Sequence, residues 1–200
     1  PAFACNLLPA ALVKFRHEHP KVNITVHDVI NEEVTAMVRS RQVEMGIAFS
    51  PEGTGSLLFT PLFEDHFVAV VPPDSSLIQA SQLTWSTLLH HDFITLQRPS
   101  MVRRLLEQEL GKQNMELTVA FESHQLSTVG RMVADGLGVS AVPSMCIRQM
   151  HELGARCIPL TAPAISCRVG ILTHQELSVA AHALRTVLLN TVQAPSLPLV

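Results

Sequence analysis

The chain has 200 residues, 47% of them hydrophobic and 16% charged, enough apolar material to pack a core in one large domain or two small lobes and too much for a disordered chain. A formal net charge of −3 offers no broad basic field, so this chain by itself is not expected to hold nucleic acid through phosphate contacts. No apolar run approaches the roughly 18–20 residues of a membrane span and no signal-peptide pattern opens the chain, so a cytoplasmic protein away from the membrane is expected.

In chain order, Pro1–Asn6 reads as the end of a strand-to-helix loop. Leu7–His19 follows as an amphipathic helix with Leu8, Ala11, Leu12 and Phe15 on one face, stopped by Pro20. Val22, Ile24 and Val26 alternate as a strand, Asn31–Arg41 is a helix turning Val34, Met37 and Val38 inward, and Met45–Phe49 is a buried strand. After the turn-rich Pro51–Ser56 comes strand patterning over Leu57–Val71, ended by Pro72 and Pro73, and the first passage from one lobe to the other is placed here. Leu83–His90 suggests a short helix, Phe93–Leu96 a strand, Ser100–Leu110 a helix with Leu105, Leu106 and Leu110 on one side, and Leu117–Phe121 a strand.

The stretch Glu122–Pro143 then changes character twice, from loop to helix to turn to buried strand. Leu126, Val129, Met132 and Val133 mark one helix face, Gly136 falls where a helix end favours positive φ, and Val139, Ala141 and Val142 form a small apolar strand. Ser144–Leu153 is helical, Cys157–Leu160 and Ser166–Leu172 are strands, the second crossing back, and Leu177–Val192 is the last helix before a tail, 194–200, that is expected to fray. Alternating strands and helices imply a parallel-type α/β sheet, and two crossings imply two lobes, 1–70 with 169–193 and 71–168, with a cleft between them. Ligands in such sheets bind beyond the strand C-terminal ends, which selects the loops Ala2–Asn6, Phe49–Pro51, Gln97–Met101 and His124–Gln125.

Met132–Pro143 (MVADGLGVSAVP) resembles the effector-binding domain of LysR-type transcriptional regulators. In order along the chain, Leu8-Pro9, Phe15–Val22, Val43–Ala48, Pro61–Pro73 and Leu83–Phe93 resemble it as well. The resemblance implies a two-lobed, periplasmic-binding-protein-like type 2 α/β fold with two crossover strands and a ligand cleft. In the family a strand precedes the first helix, and in this chain none is seen. The resemblance further implies a small-molecule effector and pairing of effector domains into a homodimer within a homo-oligomer, up to a tetramer, of the full-length protein. DNA contact would run only through a separate N-terminal helix-turn-helix domain that these 200 residues do not contain.

For the site, Ser100 follows Pro99 and opens a helix. Its neighbouring N–H groups can receive a carboxylate, a contact the family also implies, or the serine can simply cap its own helix. Gln97 and Met101 flank it. His124 and Gln125 match cleft-lining positions of the family, against the alternative of a solvated loop histidine. Ala2 and Phe3 match its first pocket loop and are apolar here, suiting a hydrocarbon end. Phe49 matches a position at the lobe junction or ends a strand as core. The ligand expected is a small organic carboxylate, aromatic or otherwise apolar at its far end.

Enzymatic activity is not expected. Gly136, Gly138 and Ala141 have G-x-G-x-x-A spacing, but the helix comes before the glycines rather than after them. Gly138–Val142 lacks the last glycine of a nucleophile elbow. Cys5, Cys146, Cys157 and Cys167 are scattered without metal-ligand spacing, so no metal or other cofactor is expected and the thiols read as buried or idle. Glu32, Glu33, Arg103 and Arg104 read as solvated helix charges, although either arginine could tilt toward an anion. A solute-binding protein of a transporter, built on the same two-lobed fold, is the alternative function.

Overall fold

A computed structural model describes Phe3 and residues 7–49 and 55–193. Ala2, the tail 194–200 and most of the loop expected over Pro51–Ser56 lie outside the described residues. The chain divides into two compact units, one made of Pro1–Glu64 and Cys167–Leu199, the other of Asp65–Ser166.

In the first unit, α1 (Leu8–Glu18) starts with proline in its first turn, where no intrahelical donor is needed, and buries Ala11 and Phe15. α2 (Asn31–Arg39) packs on β1 (Met45–Phe49), which runs antiparallel to β8 (Ser166–Thr173) with Met45 opposite Thr173 and Phe49 opposite Val169. Val38, Ala48, Leu57 and Leu172 form a buried cluster beneath Val34, Val43 and Phe59. α7 (Val179–Gln193) packs on α1. Its N-terminus is held by Glu44, whose carboxylate accepts from Ser178 N at 3.0 Å and Ser178 Oγ at 3.1 Å.

One expected element is not formed. Residues 22–30 have no strand assignment, and Ile24 and Val26 remain 38% and 48% exposed. Alternation marks a strand only where a neighbour supplies the hydrogen-bonded ladder, and no described strand pairs with this segment. Beside it is an apolar groove of about 400 Å³ lined by Leu12 and Phe15 of α1, Val22 and Ile24, Ile47 of β1 and Leu184 of α7.

The second unit is built on the end of β2 (Leu58–Val71), whose last five residues are buried. It runs antiparallel to both β6 (Ser140–Pro143) and β7 (Arg156–Thr161), with Ala69 opposite Ala141 on one side and Ile158 on the other. The sheet is therefore mixed rather than parallel-type. The parallel pairs of this unit are β3 (Leu83–Thr84) with β7, β4 (Phe93–Leu96) with β5 (Val119–Ser123) in a separate two-stranded sheet, and a bridge from Phe93 to Val139.

The helix expected over Leu83–His90 is shorter, α3 (Trp85–Leu88), because Leu83 and Thr84 pair with Leu160 and Thr161 and the Thr84 side chain caps the helix. The strand expected over Leu117–Phe121 forms two residues later and takes in Glu122, which sequence patterning leaves in a loop. α4 (Met101–Gly111) buries Val102, Leu106 and Leu110, α5 (Leu126–Ala134) packs on β4 and β5, and α6 (Ile147–Glu152) packs on β7. Trp85, Leu88, Phe93, Ile94, Leu106, Leu110 and Met150 are fully buried, and the Trp85 indole N–H donates to Pro163 O at 3.0 Å.

Two local devices fix this unit. α5 ends at Asp135 and the chain turns through Gly136 (φ +84°) and Gly138 (φ +155°), the positive angles expected of this turn. The Gly138 backbone passes so close to Asp92 that an added Cβ would sit 2.2 Å from its carbonyl oxygen. Asp65, only 3% exposed, accepts from His66 N at 2.8 Å, Ser144 N at 3.1 Å, Met145 N at 3.2 Å and the Ser144 hydroxyl, which ties β2 to the short 3-10 turn Ser144–Cys146.

Candidate functional site

β4 and β5 run side by side in parallel, and each is followed at its C-terminal end by a helix. The register that sets Leu96 opposite Ser123 carries on into the next residues, with Gln97 N donating to Ser123 O at 2.9 Å. Gln97 and His124 are thereby brought side by side, the Gln97 side-chain amide nitrogen 3.0 Å from His124 Nδ1. An amide nitrogen can only donate, so in this arrangement Nδ1 accepts and the imidazole proton sits on Nε2.

Three residues beyond Gln97, Ser100 takes an extended conformation as N-cap of α4, and its hydroxyl accepts from Arg103 N at 3.3 Å. Gln125 is the N-cap residue of α5, with no side-chain cap bond. Five of the expected site residues, Gln97, Ser100, Met101, His124 and Gln125, thus belong to two neighbouring strand-to-helix turns. Two helix N-termini with their unpaired N–H groups open at this edge of the sheet. Ser100 does cap its own helix, and a hydroxyl that accepts through a lone pair can still donate its O–H to a second partner such as a carboxylate.

The remaining candidates have other surroundings. Phe3, in the first unit, is 8% exposed and stacks on Phe63 with ring centroids 6.5 Å apart. Phe49 is half-buried at the end of β1, and its backbone N–H donates to Asn31 Oδ1 at 2.7 Å. Ala2 lies outside the described residues. The apolar groove of the first unit touches Phe3 and none of the other candidates.

Sequence patterning missed the charge network under the second unit's turns. Arg103 is not a solvated helix charge: its side chain is 11% exposed, and its guanidinium bonds Glu107, Glu122 and the carbonyl of Leu96. Burial pulls the Arg103 pKa down, and hydrogen bonds with Glu107 and Glu122 outweigh it, leaving it raised. Burial pushes Glu107 up, and bonds from Arg103 and Arg98 outweigh that in turn, holding it below the ordinary carboxylate value. Only the Arg103 to Glu107 spacing of one helical turn is visible in sequence. Among the described residues no group of three His, Cys, Asp or Glu side chains could hold a metal ion, and no helix is long and apolar enough to cross a membrane.

A family model, LysR substrate binding domain, matches residues 1–193. The chain belongs to that family. This LysR domain is 28% identical over 192 residues to the uncharacterized HTH-type transcriptional regulator YbhD of Escherichia coli strain K12, covering 95% of the chain and 61% of the relative. It is 27% identical over 142 residues to the HTH-type regulator DgcR of a Pseudoalteromonas species, covering 71% of the chain and 49% of the relative. The domain thus spans about half to three fifths of the length of these regulators.

Among solved structures, the effector-binding domain of QuiR in complex with shikimate superposes with a TM-score of 0.86 at 14% identity, covering 94% of this chain and 91% of that one. The BenM effector-binding domain with its effector benzoate gives 0.80 at 17%, covering 94% and 86%. At these identities the likeness is one of fold, the periplasmic-binding-protein-like type 2 α/β fold of LysR effector-binding domains. The family match and the regulators among its relatives favour a regulator's effector-binding domain over a transporter's solute-binding protein. Its relatives are transcriptional regulators, which are generally not enzymes.

Proposed function

We propose that this domain senses a small organic carboxylate at the turns carrying Gln97, Ser100, Met101, His124 and Gln125, and so controls DNA binding by a helix-turn-helix domain of the full-length regulator. The observation that carries the reading is the pair of helix N-termini at the ends of two adjacent parallel strands, with Gln97 and His124 in contact beside them. Each terminus presents unpaired N–H groups and about half a positive charge, which suits a single carboxylate. The likeness to domains in complex with shikimate and benzoate, both organic acid anions, supports the same class. No catalytic step is assigned to these residues. The full-length regulator acts in the cytoplasm as a homo-oligomer, with this domain as a homodimer that sedimentation at micromolar concentration would detect.

The test is a thermal-shift screen of organic acids, each hit being repeated as its neutral amide and against Ser100→Ala. A ligand at about 100 times its dissociation constant adds about 2.7 kcal/mol, which raises the melting temperature by about 5–11 °C for a chain of this size. An amide that binds as well as its acid, or a serine variant within about twofold of wild type, refutes the carboxylate site.

A further inference from the structure

Arg103 occupies the first turn of α4 and faces inward. Its Nε donates to Glu107 Oε1 at 2.9 Å, and its Nη1 donates to Leu96 O at 3.3 Å and to the Glu122 carboxylate. Leu96 immediately precedes Gln97, and Glu122 lies two residues before His124. One planar guanidinium therefore joins the helix, the end of β4 and the end of β5, the three segments that carry the residues assigned to the effector. We propose that Arg103 is the positioning residue of the site: it clamps the ends of β4 and β5 to the first turn of α4 and so holds Gln97 and His124 at bonding distance.

The charges within the cluster exclude the other role open to an arginine beside an anion site. Arg98 and Arg103 supply two positive charges, and Glu107 and Glu122 supply two negative ones, with both arginines bonded to Glu107. The Arg103 cation is balanced internally and points into the cluster, so the ligand's charge falls to the helix termini. Lysine cannot replace it. Three acceptors in different directions match the fixed fork of a guanidinium and exceed what one ammonium on a flexible stem holds in place.

The geometric part stands without a ligand and is tested without one; only the binding arm rests on the carboxylate reading. Nitrogen-15 spectra of the 200-residue chain report the His124 imidazole and the Gln97 side-chain amide. In wild type His124 is expected to show its proton on Nε2. In Arg103→Met and Arg103→Lys the signal is expected to move to the tautomer mixture of an unbonded histidine, and the Gln97 amide to its solvent-exposed position. Glu122→Ala, which removes the acceptor on β5 and leaves the Arg103 to Glu107 pair intact, is expected to move both signals the same way and serves should an arginine variant not fold, as judged from Trp85 emission. Arg148→Met, which breaks the exposed Arg148 to Glu152 pair of α6, leaves both unchanged. A His124 signal that survives in a folded Arg103→Met variant, or in Glu122→Ala, overturns the proposal.

Sodium benzoate is the binding probe. Where wild type binds it, Arg103→Met and Glu122→Ala are both expected to weaken it about tenfold, as loss of a supporting contact does. A tighter Glu122→Ala complex means that Arg103 meets the anion directly, and overturns the positioning role. Benzoate that leaves wild type unbound counts against the carboxylate reading, and the His124 signal then decides the geometric inference alone.

Discussion

Replacing Gly138 with alanine asks whether two chain segments meet at backbone distance. At φ +155° an L side chain is strained wherever it points, which costs about 1–3 kcal/mol. Here the new Cβ would also stand 2.2 Å from Asp92 O and 3.1 Å from the Asp92 carbonyl carbon, both backbone atoms. That oxygen accepts from Val139 N at 2.9 Å, and Val139 O accepts from Ile94 N at 2.8 Å. Moving Asp92 away gives up at least one hydrogen bond, about 1 kcal/mol, and disturbs the fully buried Phe93 and Ile94. The sum is about 2–4 kcal/mol, or about 4–16 °C in melting temperature.

Trp85 is the only tryptophan and is fully buried in the same unit, so the denaturant midpoint by its fluorescence reads the effect, with the slope checked for constancy. Two other glycines separate strain from crowding. Gly136→Ala meets a positive φ of +84° with nothing within 4 Å and should cost about 1–2 kcal/mol. Gly111→Ala, at the end of α4 with open space and no positive φ, should gain about 0.5–1 kcal/mol. A Gly138→Ala variant within about 0.5 kcal/mol of wild type, or one no worse than Gly136→Ala, refutes the reasoning.

Asp65→Ala removes the acceptor shared by His66 N, Ser144 N, Met145 N and the Ser144 hydroxyl, and with those donors unpaired calorimetry should register a loss of about 2–4 kcal/mol. A loss under about 1 kcal/mol would show that water replaces the carboxylate. Burial pushes the Cys157 thiol up to about 12, so in the folded chain at pH 8 this residue should resist a thiol reagent that labels it readily in denaturant. Rapid native labelling at Cys157, mapped by mass spectrometry, would contradict the raised thiol.

What the sequence made legible is what depends on neighbours within a turn or a strand. β1 and β4 have the predicted limits because each is a short apolar run between polar turns, and Gly136 marks the end of α5 because a tight exit needs positive φ. Ser100 was readable as a cap from its place after Pro99. What depends on distant partners was not. Val22–Val26 has a strand's alternation, but a strand also needs a second backbone, and alternation says nothing of whether one is at hand. The antiparallel pairs of β2 are invisible to a rule that reads alternating helices and strands as parallel. Gln97 and His124, twenty-seven positions apart, meet through a register that no local pattern fixes, and Glu122 reaches Arg103 through the same register.

The two units also differ in the order in which a ribosome can complete them. The second is one continuous stretch, Asp65–Ser166, and every segment it needs has emerged before β8 is finished. The first is interrupted. β1 acquires its partner only when Val169–Thr173 is made, His174 Nε2 bonds Val38 O across 136 residues, and Glu44 waits for Ser178 to cap α7. At about 5–20 residues per second, β1 lacks its strand partner for about 5–30 s while the intervening chain is synthesised. Vectorial synthesis therefore favours finishing the later-starting unit first, and the Gln97 and His124 turns take shape while α1, α2 and β1 still depend on chain that is not yet made.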